Sequence, residues 1–196
     1  MKHIIITIGR QSGSGGRKIG ELLAEKLGIP CYGKLELQKL AEGTEDYEEV
    51  QAFYEEEPVN SLLYAIAMNQ FEQEVGRIPF QRIRNLADQK SCIIIGRCAG
   101  HIFRKDPQAV RVFVHADPQI RRKRIMEREG ISEEKAKQFL EDTDSRRASF
   151  HQYYTQREWG RAQDYELCLD SGVLGIEGTV EILLKYLRFR GFLGDE

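Results

Sequence analysis

A chain of 196 residues with 41% hydrophobic and 31% charged side chains is long enough to bury one sizeable core and reads as a single domain, residues 1–196. A net charge of −2 gives no global footprint for nucleic acid, and no apolar stretch reaches bilayer length, so neither nucleic acid nor membrane is an expected partner. Cys31, Cys92, Cys98 and Cys168 show no C-x-x-C spacing, and three of them lie in or beside strand-like runs, which suits free thiols in a cytoplasmic protein better than disulfides or a metal site.

The run Ile4–Ile8 predicts a buried strand, and it leads through a glycine-serine loop into an amphipathic helix over Arg17–Leu27. That order is the architecture of a phosphate-binding loop, although the G-x-x-x-x-G-K-[ST] pattern is broken. Without a gap, Arg10 stands at the first Gly and Gly16 at the Lys; with a loop two residues longer, Gly9 becomes the first Gly and Gly16-Arg17-Lys18 replaces Gly-Lys-Ser/Thr. Gly13, Gly15 and Gly16 let successive amides turn into a concavity that suits an oxyanion, with the helix N-terminus behind them. Ser12 and Ser14 add hydroxyl donors. Arg17 and Lys18 stand in a first turn that the helix dipole would otherwise fill with acids, which suggests an anionic ligand. A glycine-rich turn that only brings strand and helix together is the plainer alternative.

A weaker strand candidate follows at Ile29–Tyr32. The acidic stretch Glu42–Glu57, with Tyr47, Phe53 and Tyr54 interspersed, reads as a mobile helical flap or as an ordinary solvated helix face. Helices are predicted at Asn60–Val75 and Pro79–Gln89, then a strand at Cys92–Ile95 that ends in Gly96-Arg97, placing a guanidinium at the carboxyl edge where α/β sheets bind ligands. A surface ion pair would explain Arg97 as simply. Val110–His115 is a further strand, followed by an Asp117 cap, Pro118 and a helix over Pro118–Glu129. On that helix Arg121 and Arg124 share a face that Arg128 extends, so two guanidiniums can meet one polyphosphate, while half of the cluster is open to simple solvation. A helix over Glu133–Arg147 ends in Asp142-Thr143-Asp144-Ser145-Arg146-Arg147, acids and arginines that either pair with each other or divide a ligand between them. A strand at Glu166–Leu169 and a helix at Thr179–Arg188 complete a pattern of alternating strands and helices, which predicts a parallel sheet wrapped by helices.

Four segments taken together, Thr7-Ile8-Gly9-Arg10-Gln11-Ser12-Gly13-Ser14-Gly15-Gly16-Arg17, Ile94-Ile95-Gly96-Arg97, Arg111-Val112-Phe113-Val114-His115-Ala116 and Asp144-Ser145-Arg146-Arg147, resemble the cytidylate kinase-like family from about His3 to Leu187. This family is a divergent relative of cytidylate kinase, a P-loop nucleoside monophosphate kinase. The resemblance implies a three-layer α/β/α P-loop kinase-like fold with a parallel sheet of about five strands. It also implies an acceptor-side mobile helical region near residues 42–90 and a helical lid near 129–160. It places ATP phosphates on Ser12, Gly13, Ser14, Gly15, Gly16, Arg17 and Lys18, and the acceptor monophosphate on Arg97. Arg17, Arg121, Arg124 and Arg147 would serve the transferring phosphoryl group as catalytic residues, with Asp144 and Arg147 near the acceptor nucleoside.

Three departures bear on chemistry. Cys98 follows Arg97 where cytidylate kinase has an acid, Leu140 stands where its lid has an arginine, and Lys18 replaces the hydroxyl that usually anchors magnesium. The expected function is ATP- and Mg²⁺-dependent γ-phosphoryl transfer to a nucleotide monophosphate, with small-molecule nucleotides as partners. The alternatives are a nucleotide-binding regulatory protein without turnover and a kinase of another small metabolite. Because a transferring phosphoryl group spreads charge over several oxygens, Arg97, Arg121, Arg124 and Arg147 are expected to converge on one cleft at the carboxyl edge of the sheet, and because like charges repel without an anion, the lid carrying Arg147 is expected to be open or mobile in the empty protein.

Overall fold

The computed structural model describes residues 1–45, 47–56 and 77–194. Five strands, β1 (Ile5–Arg10), β2 (Cys31–Tyr32), β3 (Cys92–Ile95), β4 (Ala109–His115) and β5 (Leu167–Asp170), form one all-parallel sheet in the order β2-β3-β1-β4-β5. The helices are α1 (Gly16–Leu27), α2 (Lys34–Ala41), α3 (Tyr47–Glu55), α4 (Arg77–Gln89), α5 (Ala99–Ile102), α6 (Pro118–Glu129), α7 (Glu133–Thr155) and α8 (Ser171–Phe189).

The apolar runs are continuous rather than alternating because helices cover both faces of the sheet. On one face Ile4, Ile6, Ile8, Ile93, Ile95, Val110, Val112 and Val114 pack with Ile19 and Leu23 of α1 and Val180, Leu183 and Leu187 of α8. On the other, Ile5, Cys92 and Ile94 meet Leu37, Val50, Phe53, Ile83, Ile102 and Phe150. The result is a three-layer α/β/α fold with β1 at its centre. Its carboxyl end lies between β3 and β4, at the switch point where the strand order reverses and where such sheets bind ligands.

Every predicted strand is present within two residues at either end. Two helices differ from expectation, and a third prediction is not tested. The predicted helix at Asn60–Val75 lies outside the described residues. The helix that begins at Glu133 continues past Arg147 to Thr155, because Phe150 is buried among aromatic rings and anchors two further turns; its ring lies 5.1 Å from that of Phe53 and 4.7 Å from that of Tyr154. The C-terminal helix starts at Ser171 rather than Thr179, its first turns concealed in the sequence by Gly172, Gly175 and Gly178, and it is kinked where Gly175 adopts φ 69°, ψ 177°. No described helix is long and apolar enough to cross a membrane.

Candidate active site

The β1–α1 connection turns on Gly13 and Gly15, which have φ of 73° and 82°. Side chains are excluded there for a second reason, since a Cβ on Gly15 would stand 2.3 Å from Ile176 Cδ1. Behind the loop the backbone is tied down: the Gln11 amide donates to the Val114 carbonyl (3.0 Å), the Ser14 amide to the Gln11 carbonyl (3.3 Å), and the Ser14 hydroxyl to that same carbonyl (2.8 Å). Ser14 is fully buried. In front, the amides of Gly13, Gly15, Gly16, Arg17 and Lys18 carry no hydrogen bond to any described residue. Unpaired amides at a helix N-terminus form an anion cradle.

Of the two cations of the first turn, Arg17 is engaged away from this cradle. Both Arg17 and Lys18 are exposed, and Arg17 pairs with Glu21 (2.8 Å) and Glu36 (3.4 Å). Arg124 reaches the loop from behind, its Nη1 donating to the carbonyls of Ser14 (3.1 Å) and Gly13 (3.4 Å) and its Nη2 to the Ser171 carbonyl (2.9 Å). Ser171 closes the arrangement by donating its hydroxyl to the Ser14 carbonyl. Arg124 therefore holds the outer side of the loop, whereas Arg97, Arg121 and Arg147 gather at the carboxyl edge of the sheet.

That gathering is organised by two carboxylates. Asp144, at the middle of α7, accepts from the Ser12 amide through Oδ1 (2.7 Å) and from Arg121 Nη1 through Oδ2 (2.6 Å), and stands 3.9 Å from Arg147 Nη1. One side chain thus joins the glycine loop, α6 and α7. Glu56, just past α3, takes Arg97 Nη1 on Oε1 and lies 3.8 Å from Arg10 and 3.7 Å from Arg147. The sequence-based expectation of an arginine cluster that repels itself without an anion omitted Glu56, and the structure pairs these guanidiniums with internal carboxylates instead.

Burial acts against every charge in this cluster. Desolvation pulls the Arg97, Arg10 and Arg147 guanidiniums below their usual range, Arg147 to about 10, with mutual repulsion adding and Glu56 opposing. Desolvation alone would raise the Glu56 carboxyl, but Arg97, Arg10 and Arg147 outweigh it, so its net shift is downward and it stays ionised. Arg10 and Glu56 are the two site residues that sequence reasoning missed. Arg10 has a detectable signal, a cation closing a buried strand beside a glycine loop. Gly96 makes room for it: its φ is 74°, and a Cβ there would lie 2.2 Å from Arg10 Nη1.

Below Arg97 a cavity of about 30 Å³ is lined by Gly9, Cys98, Phe150, His151, Trp159 and Tyr165. Cys98 is buried there and its thiol is pushed strongly upward by desolvation, so it is a neutral packing group rather than a nucleophile. A larger cavity of about 900 Å³ between α2 and α4 is lined by residues apart from the glycine loop and the arginine cluster. Among the described residues no group of three or more His, Cys, Asp or Glu side chains is placed to hold a metal ion.

Comparison with known proteins gives a consistent picture. The chain is 27% identical over 197 residues to a cytidylate kinase of Archaeoglobus fulgidus, covering 97% of this chain and 98% of that one. A crystal structure of an uncharacterized protein from Eubacterium ventriosum superposes with a TM-score of 0.76 at 30% identity, over 95% of this chain and 99% of the other. Shikimate kinase from Bacteroides thetaiotaomicron shares the fold, with a TM-score of 0.53 at 16% identity over 94% and 98% of the two chains. The family profile described as "Cytidylate kinase-like family" matches residues 5–173, which contain all five strands, the glycine loop and the whole arginine cluster. The chain belongs to the cytidylate kinase-like family.

Proposed function

We propose that this protein is an ATP-dependent kinase of a nucleoside monophosphate, with donor phosphates on the glycine loop and the acceptor phosphate at the cluster under it. The observation that carries this reading is the junction at Asp144, where one carboxylate holds both the loop amide of Ser12 and Arg121, with Arg147 3.9 Å away. Donor and acceptor sites are thereby built into one frame.

The residues fit the group. Five unpaired amides, Gly13 and Gly15 to Lys18, suit the oxygens of a triphosphate. Magnesium is ordinarily held by the nucleotide phosphates and only a few side chains. When bound, Mg²⁺-ATP supplies the transferable γ-phosphoryl group. Phosphoryl transfer requires little covalent chemistry from a protein. Loop amides orient, Arg121 and Arg147 neutralise equatorial charge, Arg97 holds the acceptor phosphate, and Arg124 keeps the loop rigid from its outer side. The measurement that decides is coupled ADP release against a panel of nucleoside monophosphates, with and without Mg²⁺. Arg97→Ala is expected to cripple use of the acceptor while sparing ATP binding. Turnover unaffected by Arg97→Ala would refute the assignment.

A nucleotide-binding protein without turnover is the second reading, favoured by one observation: Arg17 and Lys18, the candidates for the phosphate-bridging cation, are both exposed and Arg17 is paired elsewhere. ATP binding by calorimetry with no ADP release for any acceptor would select it.

A further inference from the structure

Glu56 comes from outside every motif, yet it occupies the centre of the arginine cluster. It follows the last turn of α3 with φ of 54°, a conformation that a non-glycine residue keeps only where its surroundings enforce it. Arg97 and Cys98 are also left-handed, with φ of 56° and 54°, so three strained residues meet around the cavity of about 30 Å³. The Glu56 side chain is 8% exposed and the Arg97 side chain 2%.

Two imbalances remain at this place. Among the described residues, Arg10, Arg97, Arg121 and Arg147 face Glu56 and Asp144, which leaves two positive charges uncompensated by these two carboxylates. Donors are also in excess: among the described residues the buried Nε atoms of Arg97 and Arg147 have no acceptor, and Arg10 comes no nearer to Glu56 than 3.8 Å. A ligand that eases both by more than a carboxylate can must bring two negative charges and several acceptor oxygens on a single centre. A phosphate monoester dianion does so, and guanidinium forks match it. The cavity of about 30 Å³ is small against a phosphate group, and the place that the cluster offers for such a group is the one the Glu56 carboxylate now takes.

We propose that Glu56 is an internal stand-in for phosphate: Arg10, Arg97 and Arg147 form a phosphomonoester subsite, Arg10 being its third cation, and the incoming phosphate displaces the Glu56 carboxylate. The inference rests on the kinase reading only for what carries the phosphate. Exchange is favoured because a dianion offsets one more charge than the carboxylate it replaces, and because leaving the cluster frees Glu56 from its strained backbone. It also confers selectivity. A monoanion, such as a carboxylate or a phosphodiester, gains nothing over the resident carboxylate, so the site prefers a terminal phosphate.

Trp159, the single tryptophan of the chain, lines the same cavity and reports its occupancy by fluorescence. The wild-type protein, Glu56→Gln and Arg10→Met are titrated with inorganic phosphate, CMP and cytidine. Phosphate and CMP should bind and cytidine far less; Glu56→Gln should tighten phosphate by about tenfold, and Arg10→Met should weaken it by about as much. Unchanged or weaker phosphate binding by Glu56→Gln would mean that Glu56 organises the arginines rather than competes, and overturns the proposal. If Glu56→Gln does not fold alone, recovery of a cooperative melt on adding phosphate supports the exchange, and no recovery overturns it. Measured ADP release separates the two readings. Phosphotransfer together with Glu56-independent phosphate binding sinks the exchange alone, whereas Glu56-dependent phosphate binding without any phosphotransfer sinks the kinase alone.

Discussion

Gly15 meets two demands that no other residue satisfies together: a left-handed backbone and the absence of a side chain against Ile176. Gly15→Ala is expected to cost at least about 1–2 kcal/mol from the backbone alone, before the clash is counted. Thermal unfolding should show it as a lowered midpoint, and ATP affinity should fall with it. For the neighbouring cations the expectation is a contrast. Removing Arg17 should weaken ATP binding by about 1.5–3 kcal/mol if its guanidinium swings from Glu21 and Glu36 to a phosphate, and removing Lys18 should cost less. Equal small losses in calorimetry would return both residues to the surface. At this scale the sequence was legible wherever backbone chemistry was at stake, as at Gly13 and Gly15. It was silent on Glu56, because Glu55-Glu56-Glu57 is a run of three identical carboxylates and nothing in the run singles out Glu56 as the one that meets the arginines. Arg10 was legible in principle, but counting it against a loop pattern obscured its place at the end of a buried strand.

Helix α7 transmits more than its length suggests, because the Asp144 carboxylate is shared between the loop and α6. Asp144→Ala removes acceptors from the Ser12 amide and from Arg121, so it should destabilise by about 2–4 kcal/mol and weaken ATP and acceptor binding together. Loss of only one of the two affinities would show that the frame is not shared. The same helix also carries His151, near His101 of α5. Both imidazoles are pushed down to about 4, chiefly by burial, with Arg157 adding to each. A histidine held neutral in the fold, with an ordinary value near 6.5 when unfolded, lets the unfolded chain take the proton first. Stability is therefore complete above pH ~6.5 and falls as pH drops toward about 4. His151→Gln should flatten urea midpoints across that window, and an unchanged slope would remove the histidines from the account. Sequence reading placed the start of α7 at Glu133, where the structure has it behind a Ser132 cap whose chemistry is local. It ended the helix too early, because the signal for continuation is the packing of Phe150 on Phe53, a contact between segments far apart in the chain.

At the scale of the molecule, alternation of strands and helices was enough to predict an all-parallel sheet, since continuous β-branched runs require two covered faces. The order β2-β3-β1-β4-β5 was not available from those runs, because pairing depends on which crossovers pack, and the convergence of Arg97, Arg121 and Arg147 follows from that order. Arg124 departed from the others for a local reason, one turn along α6 and facing loop carbonyls rather than the cleft.

The central position of β1 also bears on how the protein comes into being. Strand β1 has Cys92–Ile95 on one side and Ala109–Val114 on the other, so it lacks its first partner until nearly half of the chain has been synthesised and its second until past half. Such distant pairing makes a slow folder with a high contact order, and it leaves the run Ile4–Ile8 unpaired on a nascent chain meanwhile. A fragment spanning residues 1–91 should remain unstructured by circular dichroism, and the growing chain should depend on holding factors until β4 is complete.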